Sequence, residues 1–248
     1  DGENLRYSLM DFRREHFPEH QRLFGPPANP YLREVDVDWE KFLAHIVPPD
    51  HRLIRAYWYK AGQLSEWYKP AANSEVGRRW VSKHLRIAPD RLTEPQIQGE
   101  LDRAERWYNR ERDRHREILR SHNFIMVTYN IIEFRYQGIL QVDPLGEDRI
   151  GERGVDIALA VDMISMVRDY DLAILVTGDI DFAPAIQAVK NNLRQVVQVA
   201  VGPRLPPFIG KARKLREMAD YVLPVFGDEI IPNMLLKEPQ PPAEAPPS

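Results

Sequence analysis

The chain contains no cysteine, which excludes disulfide bonds and thiolate metal sites. It also lacks an excess of basic residues, because 34 Lys and Arg stand against 37 Asp and Glu. A protein that binds nucleic acid mainly through its overall charge is usually basic, so this balance argues against a histone-like binder. An enzyme that holds metal on carboxylates and contacts phosphate through a local basic patch fits the composition better.

Long hydrophobic runs are missing as well. No apolar stretch approaches the roughly 20 residues that are needed to cross a bilayer. Because the chain opens on charged and polar residues, we expect no secretory signal. We therefore expect no membrane partner and a cytoplasmic location. A length of 248 residues suffices for one α/β domain with insertions or for two small domains.

From residue 154 onward, apolar helices and strands alternate. Strands that consist of nearly continuous apolar runs between helices are typical of a parallel sheet covered on both faces. We predict a three-layer α/β/α fold with a mostly parallel central sheet, of the Rossmann-like class. The pattern places helices over 155–168, 182–191 and 211–219, and strands over 172–177, 195–201 and 221–226.

The first half of the chain is less regular. Residues 39–46 favour a short helix and residues 53–59 favour a strand. The charged run from about 94 to 122 alternates in sign, which is typical of an exposed helix. Residues 124–136 predict a strand that turns into a hairpin with residues 139–142.

This organisation predicts a single domain over 1–238 with a helical insertion at about 60–122. The Pro-rich tail over 239–248 has little to bury, and we expect it to be disordered. The opening DGENLRYSLM predicts a turn and a helix without the strand that a parallel sheet would need before them. We therefore expect that the first strand is truncated.

Acidic side chains follow the predicted strands. Ligands of an open α/β sheet bind at the carboxyl ends of its strands. Asp179 and Asp181 directly follow the buried strand LAILVT, and Asp156 opens a helix. Asp1 lies at the end of the inferred missing strand, with Asn4 close behind it. We expect these residues to converge at one edge of the sheet.

Carboxylates packed together repel one another unless a cation neutralises them. Oxygen ligands of this kind suit Mg²⁺ or Mn²⁺, and such an ion can activate water for attack on a phosphodiester. The sequence therefore predicts a hydrolytic site that needs no Cys, Ser or His base.

Several of these residues also have a structural interpretation. Asp181 suits the N-cap of the helix that follows it, Asn4 suits a plain cap, and Asp156 suits the positive end of its own helix. Asp162 lies about 240° round the helix from Asp156, so we leave it out of the metal set. Asp171 begins its strand at the opposite end, which indicates a structural role.

A basic segment follows the strand over 195–201. It begins at the same sheet edge as the acids, where cations would neutralise phosphates, although an ordinary solvated helix face is the competing interpretation. The cations are Arg204, Lys211, Arg213, Lys214 and Arg216.

Two groups of aromatic residues remain. Residues 57–59 offer either a stacking surface for unpaired bases or core packing, which their strand positions favour. Trp107 and Tyr108 suit a partner surface or a plain solvated helix.

Three segments occur in an order that resembles one known family. DGENL, GVDIALAVDM and DLAILVTGDIDFAPAIQAVK resemble the signature segments of NYN domains, which are relatives of PIN domains. The stretch FRYQGILQVD resembles the LabA-like branch of that family. The similarity covers residues 1–12 and 124–226, and residues 13–123 are divergent or inserted.

The resemblance implies a PIN-like fold, acids gathered around Mg²⁺ or Mn²⁺, and ribonuclease activity. We therefore expect an endoribonuclease that acts on single-stranded RNA through metal-activated water. Thr177 stands where Ser is commoner in the family, a change that keeps the hydroxyl. The implied catalytic and metal-binding residues are Asp1, Asp156, Asp179 and Asp181, and the implied substrate-binding residues are Asn4, Thr177, Arg204, Lys211, Arg213 and Lys214.

Two other classes of function stay open. A non-catalytic NYN-type module that binds RNA or protein is compatible with the net charge of −3 and with the insertion. The insertion at 60–122 also offers a surface for a protein partner or for self-association. A phosphohydrolase of the haloacid dehalogenase type needs a second Asp two residues after the first, where this chain has Glu3.

Overall fold

The structure, a computed structural model, describes residues 2, 5, 8, 9, 34–202, 217–226, 233 and 234. The chain divides into two compact units. The first comprises residues 1–60, 121–135 and 155–248, and the second comprises residues 61–120 and 136–154. A single domain with an insertion at 60–122 stays a prediction, and the tail over 239–248 lies outside the described residues.

The helices α1 to α5 span Trp39–Ile46, Glu75–Leu85, Glu94–Thr128, Val155–Ser165 and Ala183–Asn191. The strands β1 to β8 span Ala56–Lys60, Gln63–Leu64, Ile132–Tyr136, Ile139–Asp143, Asp148–Arg153, Leu172–Val176, Gln195–Gly202 and Tyr221–Phe226. Short 3-10 helices occupy Glu34–Asp36, Pro89–Arg91 and Ile180–Phe182. Among the described helices, none combines the length and apolarity that crossing a membrane requires.

A parallel three-stranded sheet carries the candidate site of the first unit. Strand β7 lies between β6 and β8 and is parallel to both. Only the first residue of β7, Gln195, is exposed, as expected for a strand that is covered on both faces. The predicted α/β class with a parallel-rich sheet is confirmed, and the helix and strand order from residue 155 to 202 agrees with the sequence pattern.

The core of this unit covers one face of β7. Val197, Val199 and Val201 alternate along the strand and join a cluster of buried apolar side chains. Trp58 belongs to the same cluster, and its ring stacks on Phe134 with centroids 4.9 Å apart. The central residue of the Tyr-Trp-Tyr motif therefore packs in the core and is not a stacking surface for bases.

One sequence prediction about the middle of the chain is wrong. Residues 124–128 end helix α3 rather than begin a strand, and the hairpin joins β4 to β5 instead of β3 to β4. Strand β3 pairs with β1. Ile125 shows the reason, because it buries its side chain in the core from a helical backbone. Periodicity alone does not assign a short apolar run such as FIMVT to a helix or a strand.

The second unit has its own sheet and its own core. Strand β4 pairs with β2 in parallel and with β5 in antiparallel orientation. Helix α2 begins at the cap residue Ser74, whose hydroxyl accepts a hydrogen bond from the N–H of Gly77 at 3.0 Å. The core cluster contains Ala72, Val81, Leu92, Ile97, Leu101, Ala104 and Leu145.

Candidate functional site

The loop that follows β6 is held by its own polar groups. The N–H of Asp179 donates to the hydroxyl oxygen of Thr177 at 3.1 Å. The carboxylate of Asp179 in turn accepts a hydrogen bond from the N–H of Asp181 at 2.9 Å, which caps the 3-10 helix Ile180–Phe182. The predicted capping role of Asp181 on the following helix is therefore wrong, because α5 has Phe182 as its N-cap residue, without a side-chain hydrogen bond. Asp181 makes no cap hydrogen bond among the described residues.

A buried amide on the neighbouring strand supports this loop. The side chain of Gln198 in β7 is fully buried and donates to the main-chain oxygen of Thr177 at 2.9 Å. Its carbonyl oxygen is buried and accepts no hydrogen bond within the described part of the chain. Sequence reasoning missed Gln198, although a single polar residue within the apolar run VVQVAV was a signal that it has a specific partner.

Asp156 approaches the same loop from helix α4. It lies in the first turn of that helix and is half-buried, and α4 contacts both α5 and the 3-10 helix that Asp179 caps. Burial raises the pKa of Asp156, and the negative charge of Asp179 raises it further. The positive charge of the chain's N-terminus acts in the opposite direction, and the negative charge of Asp181 adds to the rise. The structure thus brings Asp156, Asp179 and Asp181 close enough for their charges to interact.

These three carboxylates lack the cations that neutralise other acids of the first unit. Asp162 pairs with Arg135, Asp171 with Arg194, and Asp220 with Lys190. No Lys or Arg of the described segments pairs with Asp156, Asp179 or Asp181.

Oxygen ligands that no described Lys or Arg side chain neutralises fit a hard divalent cation. Within residues 34–202 and the other described positions, however, no three His, Asp or Glu side chains already form a metal-binding group.

Asp162 has a structural role, in agreement with its exclusion from the metal set. It accepts a hydrogen bond from the hydroxyl of Tyr59 at 2.8 Å and pairs with Arg135. The guanidinium of Arg135 also lies over the ring of Tyr57, 3.9 Å from its centroid. Asp171 pairs with Arg194 at the beginning of β6, which is the structural role that the sequence indicated.

The opening motif DGENL is described in part. Gly2 lies so close to strand β1 that a Cβ atom would collide with the indole nitrogen of Trp58 and the main-chain oxygen of Tyr59. Leu5 packs in the core of the same unit. The remaining predicted site residues lie outside the described residues, namely Asp1, Asn4, Arg204, Lys211, Arg213, Lys214 and Arg216.

Comparison with known proteins adds one match. The family model of the NYN domain matches residues 1–226, which is most of the chain. No curated protein and no solved structure matches the chain. The chain belongs to the NYN family, whose domains share the PIN-like α/β fold and are generally nucleases.

Proposed function

We propose that this chain is a divalent-metal-dependent ribonuclease that cuts single-stranded RNA endonucleolytically. The observation that carries the proposal is the convergence of Asp156, Asp179 and Asp181 at the carboxyl end of β6, where no described Lys or Arg side chain pairs with them. This is the edge at which an open α/β sheet binds its ligands. Membership of the LabA-like branch and a cytoplasmic location are parts of the same proposal.

The three carboxylates, together with Asp1, would hold Mg²⁺ or Mn²⁺. When bound, such an ion lowers the pKa of water and stabilises the leaving oxygen of a phosphodiester. Asp179 accepts the N–H of Asp181 through Oδ1, so its Oδ2 is left for the ion. Burial and mutual repulsion raise the pKa of Asp156, and a cation would offset both effects.

The other side chains of the site hold the loop that carries Asp179 and Asp181 in place. Thr177 fixes the main chain of Asp179 through its hydroxyl, and Gln198 fixes the main chain of Thr177. These contacts restrict the positions that the two carboxylates of the loop adopt, which is how a scaffold prepares a site before substrate binds. In the proposal, the substrate phosphates are neutralised by Arg204, Lys211, Arg213 and Lys214, beside Asn4.

The competing function is a non-catalytic module that binds RNA or protein. One observation favours it, since no three described His, Asp or Glu side chains form a ready metal-binding group. The capping role of Asp179 also explains that residue without any chemistry. Cleavage assays separate the two functions. A protein partner or self-association through 60–122 stays a prediction.

The decisive experiment compares Asp179→Asn with Asp171→Asn in the full chain. Each variant is incubated with labelled single-stranded RNA in Mn²⁺, in Mg²⁺ and in EDTA. Asn keeps the capping oxygen of residue 179, so the fold is preserved while the charge is lost. We expect cleavage that requires metal and falls at least about 100-fold in Asp179→Asn. Asp171 lies at the opposite end of β6, and its variant should cleave like the unmodified chain.

A circular RNA substrate tests the endonucleolytic part of the proposal, because it has no ends for an exonuclease to attack. If the chain cleaves linear RNA but not circular RNA, its action is exonucleolytic rather than endonucleolytic. RNA that is bound but stays intact in every metal supports the module instead. If the folded chain neither cuts nor binds RNA, RNA is the wrong ligand class.

A further inference from the structure

The second unit exposes uncompensated positive charge along helix α2. Arg79 and Lys83 are exposed and lie four residues apart, which places them on one helical face. Arg86, also exposed, follows directly as the C-cap with a left-handed backbone of φ 57°, a position that glycine usually fills. None of the three forms an ion pair with any described residue, although Glu75 precedes Arg79 by one helical turn.

Helix α3 carries exposed charge of both signs, whereas helix α2 has a single acid. Its exposed cations Arg106, Arg110 and Arg114 also form no ion pair with a described residue, but they alternate along the sequence with acids. One of these acids, Asp113, pairs with the neighbouring Arg112 and Arg116. Charge of both signs on one face is typical of a solvated helix. The single acid of helix α2 leaves its exposed face basic, in a chain whose formal net charge is −3.

An exposed aromatic ring packs against the same helix. Tyr68 is 68% exposed, and its ring centroid lies 5.7 Å from that of Trp80 on α2, at an interplanar angle of 51°. Trp80 is partly buried and packs against the core of the second unit. Tyr68 is therefore supported from beneath while it presents most of its surface to solvent.

We propose that Tyr68, Arg79, Lys83 and Arg86, called here the α2 surface, bind single-stranded RNA. The cations would neutralise backbone phosphates, and the ring of Tyr68 would stack on an unpaired base. A duplex would offer that ring no unpaired base. An acidic protein would also suit the cations and the ring, and unchanged RNA binding by the α2 variants below would favour that occupant. The identification of RNA rather than DNA rests on the proposed function.

The first test measures the salt dependence of RNA binding by fluorescence anisotropy. The full chain is titrated with a labelled oligouridine in EDTA, so that cleavage does not interfere. The triple variant Arg79→Gln, Lys83→Gln, Arg86→Gln is compared with the matched variant Arg106→Gln, Arg110→Gln, Arg114→Gln. Each contact to a single strand contributes about 0.7 to the salt slope, so loss of the α2 cations should reduce it by about 2. The α3 variant should keep the slope of the unmodified chain.

The second test addresses the aromatic ring. Tyr68→Ala should weaken oligouridine binding by at least about fivefold, the low end of what stacking on one base contributes. Tyr68→Phe should restore binding, because the ring is kept. Tyr221→Ala is the matched control, since Tyr221 is 62% exposed on the first unit at the beginning of β8. Urea unfolding of each variant shows whether it remains folded.

Two results would overturn the inference. Equal loss in the α2 and α3 variants would mean that RNA responds to overall charge, and no loss in either would mean that the α2 surface does not contact RNA. Cleavage in Mn²⁺ is assayed in parallel to keep the two proposals separate. If the unmodified chain cuts RNA while the α2 variants bind normally, this inference fails and the ribonuclease proposal stands. If the chain binds RNA through the α2 surface but does not cleave it, this inference stands and the ribonuclease proposal fails.

Discussion

The side-chain amide of Gln198 donates a hydrogen bond of 2.9 Å to the main-chain oxygen of Thr177. This contact joins the middle of β7 to the residue that follows β6, two positions before Asp179. Thr177 also accepts the N–H of Asp179 through its hydroxyl. These contacts connect a fully buried strand residue to the main-chain N–H of Asp179, whose carboxylate belongs to the candidate site. The position of Asp179 therefore depends on a side chain in the interior of the sheet.

Gln198→Met should loosen this link, because methionine has a similar shape but no donor. The main-chain oxygen of Thr177 would lose this partner inside the protein, and we expect a cost of about 1–3 kcal/mol in the free energy of unfolding. Urea denaturation measures the cost, and hydrogen exchange of the Asp179 amide measures the loosening. Gln195→Met on the exposed beginning of the same strand is the control. Unchanged exchange at Asp179 would show that Gln198 does not hold the loop.

Asp156→Asn should stabilise the metal-free protein at neutral pH. Because the pKa of Asp156 is raised in the folded state, its charge opposes folding once the pH rises through that pKa. The favourable field of the helix N-terminus offsets part of this, so we expect a net gain of at most about 1 kcal/mol. The gain should vanish below the unfolded-state pKa of about 3.9, where both states are protonated.

The same variant should lose its stabilisation by divalent ions. An ion that binds only the folded chain stabilises it by about 2.7 kcal/mol at 100 times its Kd, and removal of one ligand weakens that binding. Thermal unfolding with and without Mn²⁺ measures the effect. Asp171→Asn should respond to Mn²⁺ like the unmodified chain. An equal response of Asp156→Asn to Mn²⁺ would remove Asp156 from the proposed site.

Asp162→Ala should lower the stability of the protein and keep its response to Mn²⁺, in contrast to Asp156→Asn. It removes the acceptor of the Tyr59 hydroxyl and the partner of Arg135, so we expect the free energy of unfolding to fall by about 2 kcal/mol. Stabilisation by Mn²⁺ should stay intact, because Asp162 is paired away from the proposed site. Asp169→Ala, an exposed acid just beyond the same helix, should change neither quantity. A lost response to Mn²⁺ in Asp162→Ala would contradict its exclusion from the metal set.

The second half of the fold was predictable from the sequence for a physical reason. Between residues 155 and 202, buried strands form short apolar runs that are separated by helices, and Asp179 stands where one such run ends. The rule that ligands bind at the carboxyl ends of parallel strands then placed Asp156 near Asp179 and Asp181 without any structure. The pKa of Asp156 responds to both neighbours, in agreement with that expectation.

Contacts between distant positions were not predictable. The hydroxyl of Tyr59 and the carboxylate of Asp162 are 103 positions apart, and no local pattern relates them. Gln198 and Thr177 are 21 positions apart, and their bond depends on the register of β6 against β7. The prediction of a strand beginning at residue 124 was wrong for a related reason. Tertiary packing of Ile125 kept a β-branched run helical against its local preference.

Asp220→Asn should weaken the first unit in a pH-dependent way. Burial acts to raise the pKa of Asp220, but hydrogen bonds from the N–H of Val196 at 2.8 Å and from Lys190 outweigh it, and the pKa is lowered. A lowered pKa contributes stability above the unfolded value of about 3.9, and this stability is lost as the pH falls through the folded-state value. We expect a loss of about 1 kcal/mol at pH 7, since a neutral amide keeps an acceptor oxygen but not the charge.

Urea denaturation across the acid range measures how this loss depends on pH. The difference between Asp220→Asn and the unmodified chain should shrink to zero below the folded-state pKa of Asp220, because both side chains are then uncharged. Asp171→Asn is the matched control, since the carboxylate of Asp171 also pairs with a cation but is 87% exposed. An exposed pair contributes little, so this variant should match the unmodified chain at every pH. A constant difference for Asp220→Asn across the range would mean that the amide geometry, and not the charge, stabilises the contact between β7 and β8.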